Sequence, residues 1–240
     1  MQRYKYPRIK HFPFSQHITT DDKRATKKEI NTWFDNKEII VTEKMDGENS
    51  NLYRDYIHAR TTGYSDHPSR HWLKGLWGQI KYNIPEGWRI CGENVFAEHS
   101  IHYLNLSSYF LVFNIFNADN VCISWDETVD MTENLGLSTV PVLFRGKWNE
   151  DEVQKCYKGF STFTGSYDVK SFNIHNMRMP AQEGYVARIS DSIQFPKKVE
   201  NQRDIFEGIA KFVRKNHVTT DEHWLNKPIV KNELKDAANS

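Results

Sequence analysis

The sequence predicts an α+β domain of antiparallel sheets flanked by helices. Segments with strand character outnumber those with helical periodicity, and turn signals between neighbouring strand segments recur as antiparallel hairpins require. The chain has 240 residues, of which 38% are apolar, so it can build one large core with at most a small appendage. We therefore expect one domain over residues 1–226 and a loosely held polar tail over residues 227–240.

A helix and a strand are predicted before the first chemically informative segment. Pro7 and Pro13 favour an extended stretch over residues 1–18, in which we expect no catalytic residue. Cap-type residues at positions 20 and 21, followed by apolar side chains at helical spacing, predict a helix that ends at Asn36. The β-branched run of residues 38–44 then predicts a strand that ends at Lys44 and is followed by a turn.

The rest of the chain continues this mixture of strands and short helices. Apolar side chains spaced over residues 72–80 predict an amphipathic helix, and Gly136 closes a second helix over 127–135. Asn149, with Glu152 three residues later, predicts the start of another helix. Strand patterns occupy residues 52–60, 88–95, 109–116, 121–123, 140–144, 185–189 and 209–213.

Composition and charge exclude several classes of protein. The formal net charge is +1, so a nucleic acid would have to bind a local basic patch. The three cysteines form no CxxC pair, which argues against a disulfide framework and a structural zinc site and favours a reducing cytoplasm. Because there is no apolar signal segment and no membrane-spanning apolar run, we expect a cytoplasmic protein with no membrane partner. The sequence also lacks P-loop, Rossmann, zincin and hydrolase-elbow signatures.

The strongest chemical signal is a lysine at a strand end with a carboxylate two residues later, in Lys44-Met45-Asp46-Gly47. A lysine amine attacks an α-phosphate only when it is neutral, and burial near other cations would lower the pKa of Lys44. The alternative is an exposed turn with a solvated lysine, because so short a string is a weak signal by itself.

Further motifs follow this lysine in a fixed order. They are Asn49, Arg60, Gly92-Glu93, Phe113, Glu183-Gly184, Lys211 and Arg214. The order resembles that of the lysine nucleotidyltransferases, which comprise RNA ligases, DNA ligases and mRNA capping enzymes, and it is most similar to the RNA ligases. Two positions depart from the family pattern: Asn114 stands where the family often has Asp, and the last motif has Lys211 and Arg214 in place of a clean K-x-K pair.

The resemblance implies an adenylyltransferase fold, a nucleotidyltransferase domain of the ATP-grasp-like ligase type. Because the stretch past Arg214 is short, we expect no full OB domain. The resemblance also implies an ATP-dependent RNA ligase for RNA repair, in which Lys44 takes AMP from ATP, AMP passes to an RNA 5′-phosphate, and an RNA 3′-hydroxyl displaces it. The implied cofactors are ATP and Mg²⁺, with Mn²⁺ as a substitute, and the implied partners are RNA ends. Besides catalytic Lys44, the implied ATP-binding residues are Asp46, Gly47, Asn49, Arg60, Glu93, Phe113, Glu183, Lys211 and Arg214, of which Glu93 and Glu183 also hold metal.

Three alternatives stay open at this point: a DNA ligase, a capping-type nucleotidyltransferase, and a non-catalytic module that binds RNA ends. Polar groups near the sealed end would recognise the RNA 2′-hydroxyl, and the candidates are Asn49, His217 and His223. Phosphates would bind a basic patch formed by Lys197, Lys198, Arg203 and Lys215. The polar aromatic cluster between His217 and Trp224 receives no predicted role.

Overall fold

The computed structural model describes residues 2–19, 22–62, 66–164, 181–195, 205–215 and 228–235. Within these ranges the chain forms twelve strands in two sheets, with four α-helices. The strands are β1 (Arg8–His11), β2 (Glu38–Lys44), β3 (Glu48–Leu52), β4 (Ile57–Ala59), β5 (Arg89–Asn94), β6 (Phe110–Phe116), β7 (Val121–Cys122), β8 (Ser138–Thr139), β9 (Val142–Lys147), β10 (Gly184–Ile189), β11 (Ile193–Gln194) and β12 (Ile205–Val213).

The first sheet has the strand order β1-β12-β10-β2-β9, and the second has the order β11-β7-β6-β5-β3-β4 with β8 beside β6. Every pairing is antiparallel except β1 with β12 and β6 with β8. The α-helices are α1 (Lys27–Phe34), α2 (His71–Ile80), α3 (Trp125–Asn134) and α4 (Glu150–Gln154). The prediction of an α+β domain on antiparallel sheets is confirmed.

Local capping explains where two of the helices begin. Helix α1 starts at Lys27, because Thr26 caps the Glu29 amide and the Glu29 carboxylate bonds back to the Thr26 amide, whereas the predicted cap positions 20 and 21 lie outside the described residues. Ser124 and Glu127 make the same reciprocal pair at the start of α3. These bonds satisfy amides that lack a partner inside the first turn of a helix.

Two predicted strands have different bounds in the structure. The segment 52–60 reverses direction where the Tyr53 amide bonds to the Tyr56 carbonyl, so β3 and β4 form a hairpin in place of one strand. In the segment 140–144, strand β9 begins only at Val142, after Pro141, which has no amide hydrogen to give to a strand ladder. Its carbonyl still accepts from the Glu43 amide.

The core consists of apolar residues on the faces of the two sheets. One cluster joins the first sheet and α1 to the second sheet, through residues such as Phe34, Val41 and Phe116. Another packs Leu73 and Ile80 of α2 against the second sheet. Among the described residues, no helix is both long and apolar enough to cross a lipid bilayer.

Residues 228–235 are held firmly against the loop of residues 95–106, which corrects the expectation of a loosely held tail for this part of the chain. Asn232 is 1% exposed, its Nδ2 donates to the Val95 carbonyl at 2.8 Å, and its Oδ1 accepts from the Tyr103 amide at 2.8 Å. The Leu106 amide also donates to the Glu233 carbonyl. Backbone pairing therefore binds the segment in spite of its polar sequence.

Candidate active site

A cavity of about 710 Å³ lies at the end of β2. Seven of the predicted site residues border it: Lys44, Gly47, Asn49, Arg60, Glu93, Phe113 and Lys211. Asp46 and Glu183 lie beside Lys44 without bordering the cavity, and Arg214 also lies outside its wall. The structure thus brings together groups that span the sequence from residue 44 to residue 211.

The pairing of β2 with β10 places the central ion pair. Lys44 stands opposite Gly184 in the antiparallel register, so the preceding residue, Glu183, reaches the lysine. Lys44 Nζ donates to Glu183 Oε1 at 2.6 Å and to Oε2 at 2.5 Å. Glycine is required at 184, because a Cβ there would lie 1.9 Å from the Phe212 carbonyl oxygen. The close approach of β10 and β12 therefore depends on this glycine.

Carboxylates dominate the electrostatic surroundings of Lys44. Burial alone lowers its pKa, but the negative charges of Glu183, Glu93 and Asp46 outweigh burial and raise it above its ordinary value. The expectation that nearby cations would lower this pKa is wrong, since the acidic groups around the amine outweigh the cationic ones. In the free protein Lys44 is therefore an ammonium ion, and attack on phosphorus requires that it first lose a proton.

Burial acts on the two glutamates in the opposite sense. It raises the pKa of Glu183 to about 7 and that of Glu93 to about 8, although the positive charge of Lys44 pulls both values down. Strongly perturbed carboxyl groups in one cavity are typical of functional sites. A further positive charge close to Glu183 and Glu93 would stabilise the ionised form of both carboxyl groups.

Asp46 and Gly47 are fixed by the loop that follows β5. The Asp46 carboxylate accepts from the Ser100 amide at 2.8 Å and from its hydroxyl at 2.6 Å, and the Asp46 amide donates to the Tyr103 hydroxyl at 2.9 Å. A Cβ at residue 47 would lie 2.5 Å from the Asn94 carbonyl oxygen. The turn after β2 therefore requires glycine for close contact with β5.

A β-bulge directs Phe113 into the cavity. Cys91 pairs with Asn114 and Gly92 pairs with Val112, so Phe113 is an extra residue in β6. Phe113 and Asn114 consequently border the same cavity, although neighbouring residues of a regular strand point to opposite faces. The Phe113 ring is half-buried and packs edge-on against Tyr6, with 5.3 Å between ring centroids.

The cationic groups have different environments. Lys211 donates to Asp22 Oδ1 at 3.1 Å, and burial together with the charge of Lys44 lowers its pKa. Arg60 is exposed at the cavity wall. Arg214 has its amide bonded to the Glu183 carbonyl at 3.0 Å, so it supports the backbone beside the ion pair. Lys215 is exposed, while the other residues of the predicted basic patch and His217 to Trp224 lie outside the described residues.

Sequence reasoning missed the contribution of the N-terminal segment, where we expected no catalytic residue. Tyr6, Pro7 and Ile9 border the cavity, and Asp22 holds Lys211. No local pattern marks these residues, because they reach the site through contacts with residues distant in the chain, such as that of Asp22 with Lys211. A second missed feature is the ion pair between Arg70 and Glu48, which both border the cavity.

The carboxylates fit a divalent cation that also binds phosphate oxygens. Among the described residues, no three His, Cys, Asp or Glu side chains form a cluster that could hold a metal by themselves. Glu93 and Glu183 offer two carboxylates, and Mg²⁺ commonly takes one or two carboxylates plus substrate phosphates and water. The raised pKa values of both glutamates also agree with a site that a cation would complete.

Solved RNA ligase structures share this fold. A mutant of Naegleria gruberi RNA ligase with ATP and Mn matches with a TM-score of 0.52 and 15% identity, over 89% of this chain and 60% of that chain. The same ligase with PPi matches with a TM-score of 0.52 and 16% identity, over 89% of this chain and 61% of that chain. The chain therefore spans about three fifths of the length of these proteins. No curated protein sequence matches it.

The fold of this chain is therefore the one found in RNA ligase structures. The sequence model described as RNA ligase matches residues 37–213, from just before β2 to the end of β12. The chain belongs to the RNA ligase family, as the order of its motifs predicts.

Proposed function

We propose that the chain is an ATP-dependent RNA ligase that works through a lysyl-AMP intermediate on Lys44. The observation that carries this proposal is the Lys44 amine, bound by both oxygens of Glu183 at the edge of a cavity that Glu93 and Lys211 also border. The ATP and Mn in the Naegleria gruberi structures support a nucleotide and a divalent metal for this fold.

In the first step the Lys44 Nζ–Pα bond forms and the bond from Pα to the β-phosphate oxygen breaks, which releases pyrophosphate. Nζ must first lose a proton, and the Glu183 carboxylate 2.5 Å away is the nearest acceptor among the described residues. Lys211 and Arg60 border the cavity as cations that can balance phosphate charge. Phe113 offers a half-exposed ring on which adenine can stack, a contact worth roughly 1–3 kcal/mol by analogy with other base–aromatic stacks.

Glu93 and Glu183 would hold Mg²⁺ or Mn²⁺, which supplies positive charge to the phosphates when bound. The remaining steps use the same groups. AMP passes from Lys44 to an RNA 5′-phosphate, and an RNA 3′-hydroxyl then attacks that activated phosphate and releases AMP. Asn49 borders the cavity and is our candidate for a contact near the RNA end.

A set of matched nicks tests this function. The nicks share one sequence and differ only in the sugars of the terminal nucleotides on the 3′-hydroxyl strand. With ATP and Mg²⁺ we expect an adenylylated 5′ end followed by a sealed product from the RNA-containing nick, and no product from Lys44→Ala. Equal or faster sealing of the all-DNA nick would overturn the RNA assignment in favour of a DNA ligase. Label transfer from GTP in place of ATP would favour a capping-type enzyme, and binding of RNA ends without transfer would favour a non-catalytic module.

A further inference from the structure

Three buried side chains form a hydrogen-bonded chain along the cavity. Arg188 Nη1 donates to Asn114 Oδ1 at 2.5 Å, and Asn114 Nδ2 donates to the Tyr6 hydroxyl oxygen at 2.5 Å. All three residues border the cavity and are at least nine-tenths buried. These hydrogen bonds connect the N-terminal segment to β6 and β10.

The direction of these bonds is fixed by the arginine. A guanidinium group only donates, so the carbonyl oxygen of Asn114 must face Arg188 and its NH₂ group must face Tyr6. The Tyr6 oxygen is therefore an acceptor in this contact, and its own hydrogen must point to another group. Burial raises the pKa of Tyr6 well above its ordinary value, so the phenol keeps that hydrogen.

Among the residues that the structure describes, the Tyr6 hydroxyl donates a hydrogen bond to none, and its one hydrogen bond is the contact that it accepts from Asn114. A buried donor without a partner is costly, and a ligand that supplies an acceptor removes that cost. The hydroxyl thus favours a cavity ligand with an acceptor at this position.

The Phe113 ring, which packs against Tyr6, indicates which part of a nucleotide would lie next to the Tyr6 hydroxyl. Tyr6 packs edge-on against Phe113, with an angle of 78° between the rings. A base stacked on Phe113 presents its edge, and not its face, to groups beside that ring. We propose that the Tyr6 hydroxyl donates a hydrogen bond to a ring nitrogen of adenine, with Asn114 and Arg188 fixing its direction, an inference that rests on the proposed use of ATP.

Two variants separate the hydroxyl from packing. Tyr6→Phe keeps the ring contacts with Phe113, Phe116 and Phe206 and removes only the oxygen. Asn114→Asp places a carboxylate between Arg188 and Tyr6, which accepts from both and so takes up the hydroxyl hydrogen. Because this variant gives the buried Arg188 an opposite charge, we expect it to fold.

The experiment measures kcat/KM for lysyl-AMP formation with ATP and its 1-deaza, 3-deaza and 7-deaza analogues. In the wild type we expect one analogue to react roughly tenfold more slowly than ATP, the effect of one hydrogen bond. In Tyr6→Phe and Asn114→Asp, kcat/KM for ATP should fall by the same factor. In both variants, kcat/KM for that analogue should then equal kcat/KM for ATP. Thermal unfolding checks that each variant is folded.

Equal kcat/KM for ATP in wild type and Tyr6→Phe would overturn the inference. It would also be overturned if Tyr6→Phe lowered kcat/KM by the same factor for ATP and for all three analogues. Equilibrium binding of the four nucleotides is measured in parallel by calorimetry, and the same pattern of affinities is expected. If no nucleotide labels the wild type, the proposed function fails, while the binding pattern still supports or rejects the contact from Tyr6.

Discussion

The central strands and the terminal segments contribute to the site in different ways. Strands β2 and β5 carry Lys44 and Glu93, and Glu183 directly precedes β10, so the ladder register brings these proposed reacting and metal-binding groups together. The N-terminal segment (residues 2–19 and 22) and the C-terminal segment (residues 228–235) contribute single side chains that support the site through contacts distant in sequence. Asp22 reaches Lys211 across 189 residues, and Asn232 reaches Tyr103 across 129.

This difference has a functional consequence. Substitutions in the central strands should remove chemistry while the fold persists, because the sheets do not depend on the charges at their ends. Substitutions in the terminal segments should change the position of a reacting group, and so reduce activity by smaller factors. The first three of the four predictions that follow test that ranking, and the fourth concerns the pH dependence of stability at Glu43, a buried residue of β2.

The largest effect is expected for Glu183→Gln. The substitution keeps the shape of the side chain but removes the negative charge that holds Lys44 and would hold metal. Loss of one preorganised electrostatic group commonly costs about 10²–10³-fold in rate. We expect a loss of that order in the rate of lysyl-AMP formation, measured by transfer of α-labelled ATP, with an unchanged melting temperature. Glu133→Gln, at an exposed position of α3, is the matched control and should retain full activity.

Asn232→Ala should have an intermediate effect. It removes the bonds to Val95 and Tyr103, and Tyr103 belongs to the loop that holds Asp46. We expect roughly tenfold slower lysyl-AMP formation at saturating ATP and a loss of about 1–3 kcal/mol in the free energy of unfolding, because buried partners are left unsatisfied.

The control for this substitution is Val230→Ala, since Val230 is 49% exposed in the same segment. Full activity of Asn232→Ala in a destabilised protein would limit the C-terminal segment to a structural role. Asn232→Asp keeps the oxygen that accepts from the Tyr103 amide. Partial recovery of the rate of lysyl-AMP formation in this variant would support a role of Asn232 in positioning the loop that holds Asp46.

Asp22→Asn should affect ATP binding more than the chemical step. Its contacts with His11 and Lys211 hold the pKa of Asp22 well below the usual range, so Asp22 is an anion at neutral pH. Its charge raises the pKa of Lys211, which burial otherwise lowers. Without that charge, Lys211 loses its proton at a lower pH, and its attraction for triphosphate weakens.

We therefore expect KM for ATP to rise several-fold at neutral pH and to rise more steeply between pH 7 and 9 than in wild type, with kcat little changed. Asp35→Asn, at an exposed position after α1, is the control. A loss confined to kcat, with the wild-type pH dependence of KM, would contradict this account of Lys211.

The smallest effect is expected for Glu43→Gln, next to Lys44 in β2. Burial raises the pKa of Glu43, whose Oε2 accepts from the Thr162 amide. A carboxyl group with a raised native pKa contributes stability below its ordinary value of 4.5, and that contribution is lost as the pH rises through the native pKa. The wild-type free energy of unfolding should thus fall between pH 5 and pH 8, and Glu43→Gln should reduce this fall. Denaturant titrations at pH 5 and pH 8 measure the free energy of unfolding of both proteins. An equal fall in wild type and Glu43→Gln would reject the role of Glu43.

The parts of the site that could be predicted are those with a local signal. The run of β-branched residues defines β2 with the bounds that the structure shows, and the motif order gives the family. Sequence spacing alone does not place Tyr6 or Asp22, since each depends on a partner far along the chain. The pKa of Lys44 was predicted in the wrong direction, because its surroundings are set by the folded arrangement of three carboxylates. The bulge at Phe113 likewise depends on pairing between β5 and β6.

The most direct test of the account is the location of the covalent adduct. After incubation of the protein with ATP and Mg²⁺, peptide mass spectrometry should find the mass of AMP on the peptide that contains Lys44, through an acid-labile phosphoramidate bond. Lys44→Ala should carry no adduct, and Lys211→Ala should carry a reduced amount on Lys44. An adduct on another residue of the wild type, or one that persists in Lys44→Ala, would contradict the assignment of Lys44 as the nucleophile.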